Sequence, residues 1–294
     1  MSTTIPKNKR VIAVGNFDGV HLGHSKVLKT ASETAKKSGL TSAAMTFYPY
    51  PKDFFCGEGT VKKITHEKNK TKLILLNGID EHITEEFNDK IAEMNSDEFV
   101  LMLKNNYNCA TIVCGSNFRF GKKAAYDTDD LKISCEKAGL EAIICSYEEG
   151  FSSTNIRELI SMGEVEKASE LLGRRFDIRG KVLHGRHIGT EIGFPTVNLT
   201  SEKDMLLPRF GVYETVVTCE GKTFKGITNV GLAPTVSDGQ STVRTETFLL
   251  DTNIDLYEKE LKVEFVRFIR PEKKFSSLDE LKKQIKHDIE EITT

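Results

Sequence analysis

No apolar run in this chain approaches the roughly 20 residues that a helix needs to cross a bilayer, and residues 1–10 are polar, without the apolar core of a secretory signal. These absences exclude a helical membrane protein and predict a cytoplasmic one. An excess of positive charge is also missing: 41 Lys and Arg face 43 Asp and Glu, for a formal net charge of -2, so no global basic field invites a nucleic acid. The cysteines at 56, 109, 114, 135, 145 and 219 form no C-x-x-C pair and no paired metal-ligand spacing, which argues against a zinc ribbon or a dithiol redox centre. They read as reduced packing residues. What is present is a globular balance, 29% charged and 38% hydrophobic, over 294 residues, a length that predicts two domains.

The most informative stretch is residues 11–24, VIAVGNFDGVHLGH. Val11–Val14 is an uninterrupted apolar run, as expected of a parallel strand buried on both faces. Gly15 and Gly19 permit a tight turn. From about His24 to Lys37, Val27, Leu28, Ala31 and Ala35 recur at helical spacing before Gly39 supplies a stop. His21 and His24 therefore open a helix, where free amides and the positive end of the dipole favour anions and two imidazoles can donate to phosphate oxygens. Two histidines at a helix start are also compatible with plain polar residues; the order of strand, glycine turn, H-x-G-H and helix is what points to a nucleotide.

Strand and helix patterns alternate through the first half. Residues 41–47 read as a strand, and a loop with Pro49, Pro51, Gly57 and Gly59 reads as irregular and exposed. Residues 66–77 and 96–105 read as helices, 111–115 as a strand, 131–138 as a helix and 141–145 as a strand. The alternation predicts a doubly wound parallel sheet, whose ligands bind beyond the carboxyl ends of the strands. Two segments there are candidates for the same site. Residues 115–123, GSNFRFGKK, place an arginine, two phenylalanines and two lysines after a strand, a mixture suited to stacking an aromatic ring and neutralising phosphate, or to a solvated basic loop. Ser152, Ser153 and Thr154, followed by Arg157, precede a helical run from about Asn155 to Leu172; such hydroxyls cap a helix or bind phosphate.

After Arg174 the pattern changes to short β-like runs at 176–183, 211–218, 222–229, 242–250 and 261–268, closed by an amphipathic helix over 277–289 with Ser277 as cap. The expected domains are 1–174 and 175–294, an α/β domain followed by an antiparallel barrel or sandwich. Gly185, Gly189 and Gly193 can bring backbone amides close to phosphates. Thr196 and Asn198 offer a hydroxyl and a carboxamide oxygen, hard ligands for Mg²⁺ shared with substrate phosphates. Taken alone, Glu246 reads as an outward-facing residue of an alternating strand; in this company it can accept the proton of an attacking hydroxyl.

The H-x-G-H segment resembles the signature of the nucleotidyltransferase superfamily, and GNFDGVHLGH at 15–24 is similar to its longer form in bacterial FAD synthetases. Residues 115–121 resemble the G-x-D-F-R-F-G segment of the same enzymes, with Asn117 in place of Asp, and 152–157 match their S-S-T-x-I-R element. GFPTVN at 193–198, residues 207–213, Glu246 and residues 256–278 resemble the riboflavin kinase module in type and order. The chain thus looks like a bacterial bifunctional riboflavin kinase/FAD synthetase. The resemblance implies a Rossmann-like N-terminal domain followed by a six-stranded barrel. It also implies ATP contacts for Gly15, Phe17, Asp18, Gly19, Ser152, Ser153 and Thr154, flavin contacts for Asn117, Phe118, Arg119 and Phe120, and catalysis by His21, His24, Arg157 and Glu246. Riboflavin, FMN, FAD and ATP are the implied substrates and products, with Mg²⁺ as cofactor and no nucleic acid or membrane partner.

Thr190 and Ala233 stand where this family usually has arginine. Each change removes a cation that could face phosphate, at a cost of about 1.5–3 kcal/mol per charge-assisted contact. A FAD synthetase with a weak kinase module is therefore the alternative, and a non-catalytic flavin-binding regulator the alternative of another class.

Overall fold

The structure is a computed structural model that describes residues 8–146, 150–183, 194–200, 204–234, 241–250, 252, 256 and 258–293; for 183, 232–234 and 241–243 it describes the backbone alone. Two compact units divide the chain, Met1–Ser153 and Thr154–Thr294.

The first unit is built on a parallel sheet of β1 (Arg10–Val14), β2 (Thr41–Tyr48), β3 (Glu81–Glu86), β4 (Cys109–Gly115) and β5 (Glu141–Cys145), in the order β3-β2-β1-β4-β5. Every residue of β1 is buried, which is why that run needs no polar alternation. Helix α1 (Leu22–Ser38) lays Val27, Leu28, Ala31 and Ala35 on one side of the sheet, and Gly39 ends it in the left-handed conformation. On the other side lie α5 (Ser96–Tyr107) and α6 (Thr128–Ala138), whose Phe99, Leu103 and Leu131 share a core with Ile12, Met45 and Ile112. Both helices start with a capping box, Asn95 with Glu98 and Asp127 with Asp130.

Three local readings need correction. The proline-rich loop holds a short helix, α2 (Pro51–Cys56), with Pro51 at its first position, where the missing N–H costs nothing. Another helix, α3 (Glu67–Leu76), follows as expected. The strand β3 was not legible: EHITEE carries one aliphatic residue, because an edge strand half in solvent has no apolar alternation to show. It is followed by the one-turn helix α4 (Asp89–Ala92). The helical run read as continuous to Leu172 is two helices, α7 (Ser153–Met162) and α8 (Val165–Leu172). Gly163 breaks it with φ 87°.

In the second unit β6 (Asp177–Leu183), β7 (Thr196–Thr200), β8 (Gly211–Cys219), β9 (Lys222–Pro234), β10 (Ser241–Leu249) and β11 (Glu260–Arg270) close an antiparallel barrel in the order β10-β7-β6-β11-β8-β9. Ile178, Tyr213, Val217, Val230, Leu261, Val263 and Phe265 are buried in it. A polar thread joins Thr215 to Thr228 at 2.8 Å and Thr228 to Thr247 at 2.9 Å, so buried hydroxyls satisfy one another. The closing helix α9 (Leu278–Thr293) packs Ile289 and Ile292 on Val212, Ile227, Phe248 and Leu250. Arg270 holds the buried Asp288 of that helix at 2.7 Å, and Ser277 Oγ accepts from the Glu280 amide at 3.2 Å. Strand β7 went unread because its five residues follow the glycine-rich segment and carry only two aliphatic residues.

Candidate functional site

Strand order reverses between β1 and β4, which pair directly. In an open parallel sheet this is the switch point where the crevice forms. The H-x-G-H turn leaves the carboxyl end of β1 and the loop of Asn117–Phe120 leaves that of β4, so topology brings together two segments about 95 residues apart in sequence.

The turn between β1 and α1 is tightly wound. Phe17, Gly19 and Val20 have φ of 48°, 83° and 38°; for the two non-glycines this costs about 1–3 kcal/mol each. At Gly15 the space is tight for a different reason: a Cβ there would lie 3.3 Å from the Phe17 ring. The turn delivers His21 as the N-cap of α1, its Nδ1 accepting the His24 amide at 3.2 Å, the duty a Ser or Asp side chain usually has. An imidazole that accepts at Nδ1 carries its proton on Nε2. His21 thus presents an N–H beside the positive end of the helix. Its ring stacks on that of His24 with centroids 3.6 Å apart, and Phe17 meets His24 edge-on at 5.3 Å.

Asp18 is buried, and its carboxylate accepts from the amides of Ile64 and Thr65. Ser153 Oγ donates to the Asp18 carbonyl at 2.9 Å, so this hydroxyl reaches the H-x-G-H turn. Ser152 is half-buried and Thr154 exposed, and Arg157 is half-buried one turn into α7. In the loop after β4, Phe118 and Phe120 stack with centroids 5.4 Å apart, and Phe120 packs on Phe99 at 4.9 Å. Phe120 is a core residue; Asn117 and Arg119 are exposed, Arg119 facing Asp127 at 3.5 Å.

In the barrel, register decides. Thr245, Thr247 and Leu199 are buried inside, so with a period of two the residues between them, Thr196, Asn198 and Glu246, share the outer face. Glu246 pairs with Asn198 on one side and with Asn229 on the other. Cross-strand partners of this kind have Cβ atoms about 5 Å apart. Asn198 Oδ1 is buried without a hydrogen-bond partner among the described residues, an arrangement that calls for a ligand. Asn229 was missed by sequence reasoning; nothing marks it locally, and its place beside Glu246 emerges only from strand pairing. Gly185, Gly189, Gly193 and Thr190 lie outside the described residues, as does the side chain of Ala233.

No cluster of three or more His, Cys, Asp or Glu among the described residues could hold a metal, and no described helix is long and apolar enough to cross a membrane. The cysteines are free, five of them buried. Burial pushes the thiols of Cys109 and Cys114 up to about 12 and Cys135 to about 11, which leaves them protonated and unreactive.

The sequence model of the FAD synthetase family matches residues 4–155 and that of riboflavin kinase matches 172–294. Proteins named bifunctional riboflavin kinase/FMN adenylyltransferase resemble the chain along nearly all its length. Those of Bacillus subtilis, Escherichia coli and Buchnera aphidicola from Schizaphis graminum are 35%, 33% and 34% identical, over 96%, 96% and 95% of this chain and 91% of each relative. A solved structure named a macrolide-efflux protein, from Streptococcus pneumoniae, shares the fold with a TM-score of 0.85 and 30% identity over 97% of this chain and 94% of that one. With both family models matched in order and relatives alike from end to end, the chain belongs to the bifunctional riboflavin kinase/FMN adenylyltransferase family.

Proposed function

We propose that this protein carries out two successive steps of FAD synthesis: ATP-dependent phosphorylation of riboflavin to FMN by residues 175–294, and adenylyl transfer from ATP to FMN, giving FAD and pyrophosphate, by residues 1–174. The observation that carries the reading is the H-x-G-H turn at the sheet's switch point combined with the outer-face row of Asn198, Glu246 and Asn229 on the barrel. Its substrates are small molecules, and its setting is the cytoplasm.

In the kinase step Glu246 accepts the proton of the riboflavin 5′-hydroxyl as that oxygen attacks the γ-phosphorus of ATP; the bond to ADP breaks and ADP leaves. Thr196 and Asn198 would hold Mg²⁺, and the buried, unpartnered Oδ1 of Asn198 fits that duty. Magnesium when bound neutralises phosphate charge. The amides around Gly185, Gly189 and Gly193 cradle the phosphates.

The adenylyl step needs no base, because the FMN phosphate is already an anion and a nucleophile. Its work is positioning and charge neutralisation. His21 and His24 donate to the α-phosphate as charge builds on it. Ser152, Ser153, Thr154 and Arg157 hold the departing pyrophosphate, Gly15, Phe17, Asp18 and Gly19 shape the pocket wall, and Asn117, Phe118, Arg119 and Phe120 form the flavin side.

The test is incubation with Mg-ATP and either riboflavin or FMN, resolving riboflavin, FMN and FAD by chromatography. FAD from both substrates is expected. FAD from FMN alone would assign the loss to the second unit and its Thr190 and Ala233, and FAD from neither would overturn the assignment in favour of a flavin-binding regulator.

A further inference from the structure

The turn between β1 and α1 carries an acid where the chemistry has no use for one. Asp18 is 2% exposed in the segment that receives a triphosphate, and a carboxylate facing phosphate oxygens would repel them. Its oxygens are engaged elsewhere. The Ile64 amide donates to Oδ1 at 3.1 Å and to Oδ2 at 3.2 Å, and the Thr65 amide donates to Oδ1 at 3.3 Å. Its carbonyl accepts from the Ser153 hydroxyl at 2.9 Å. One residue therefore joins three stretches of the first unit, its partners lying 46, 47 and 135 positions away.

The neighbours of Asp18 explain why such a tie is needed. Phe17 and Val20, on either side of Gly19, hold positive φ, a conformation that local sterics disfavour in non-glycine residues and surrounding contacts must maintain. His21 follows directly, and its ring both caps α1 and stacks on His24. A turn free to relax would carry both imidazoles with it, and a displacement near 1 Å is enough to cost about a hundredfold in rate.

We infer that Asp18 is a positioning residue of the adenylyl-transfer site: it contacts no nucleotide, and by clamping the Ile64–Thr65 backbone to the turn it sets where His21 and His24 stand. The inference rests on reading this site as the FMN adenylyltransferase centre. It departs from the family-based expectation of an ATP contact at Asp18 and makes a different kinetic prediction.

The experiment compares full-length wild type with Asp18→Asn, which removes the charge and one acceptor, and with Asp18→Ala, which removes both acceptors. Three quantities are read on each sample: kcat and KM for ATP in FMN-to-FAD conversion, riboflavin phosphorylation as a control on the rest of the chain, and amide hydrogen exchange across residues 57–66, β1 and β2. The expected result is a kcat lowered about tenfold in Asp18→Asn and about a hundredfold in Asp18→Ala. KM for ATP stays within about threefold, and exchange quickens over 60–66 but not in β1 or β2. A raised KM at unchanged kcat would mean that Asp18 touches the nucleotide and would overturn the inference. So would a lowered kcat with unaltered exchange at 64 and 65, or fast exchange throughout β1 and β2 in both variants, since the role would then be general stability. If the wild type makes no FAD from FMN, the functional reading fails on its own, and the exchange comparison still decides whether Asp18 holds residues 64 and 65.

Discussion

His21 has two duties in one ring, and they can be separated. Its Nδ1 caps α1 by accepting the His24 amide, and its Nε2–H is the donor that the proposed adenylyl step uses on phosphate. Asparagine is as good a cap as any residue but has no donor in the imidazole's place. His21→Asn is expected to leave thermal stability nearly unchanged and to lower FAD formation from FMN about a hundredfold, as removal of one oxyanion donor does elsewhere. His21→Ala is expected to lose about 1 kcal/mol of stability as well. Thermal denaturation beside the FMN-to-FAD assay checks both. His82 offers a pH prediction. It sits between the Thr46 and Thr71 hydroxyls at 2.9 Å each, and burial first, then Lys70, holds its pKa below the usual 6.5. The unfolded chain therefore binds this proton more readily than the folded one. Its contribution is fully present above about pH 6.5 and is lost as pH falls toward the folded value. Tm measured between pH 7.5 and 5 should decline with a component that His82→Gln removes. Most of the candidate chemistry at this scale was legible, because a motif is a string of neighbours. The partners of Asp18, at 64 and 65, were not.

Strands show the reverse balance. β1 and β4 announced themselves through apolar runs, since a strand buried on both faces can contain little else, and β5, half-buried at the sheet edge opposite β3, showed through Ala142, Ile143 and Ile144. β3 and β7 were silent because one lies at a sheet edge and the other presents Thr196 and Asn198 outward. Yet β7 is the element that carries Thr196 and Asn198, the proposed magnesium ligands. Its place against β6 requires Gly180, where a Cβ would fall 2.1 Å from the Thr200 carbonyl oxygen. Gly180→Ala must push the two backbones apart, at about 1–3 kcal/mol, and shift Asn198 relative to Glu246. Loss of FMN formation with FAD formation from added FMN retained is the expected result. Inside the barrel Thr228 stands between Thr215 and Thr247. Thr228→Val strands buried hydroxyls and should cost about 1–3 kcal/mol, measured by urea denaturation.

On the scale of the molecule, the first unit buries its core on both faces of the sheet, and the second buries one set of residues inside the barrel and another beneath α9. Each activity should therefore fail alone. Glu246→Gln is expected to lower riboflavin phosphorylation by about 10²–10⁴ and to leave adenylyl transfer to FMN within about twofold, while His24→Ala does the opposite; chromatography of both reactions on both variants tests it. By itself the sequence determined the two-part plan, the parallel α/β class of the first part, the β-rich class of the second, and the motifs at 15–24, 115–121, 152–157 and 193–198. Each of these depends on residues within one element or one turn, where propensity and spacing act. Tertiary structure alone decided the order β3-β2-β1-β4-β5 that brings the β1 and β4 loops to one crevice. It alone paired Asn198, Glu246 and Asn229 across three strands and set Asp18 on the Ile64–Thr65 backbone. Strand neighbours are chosen by burial of whole faces and by closure of the barrel, which no local window contains.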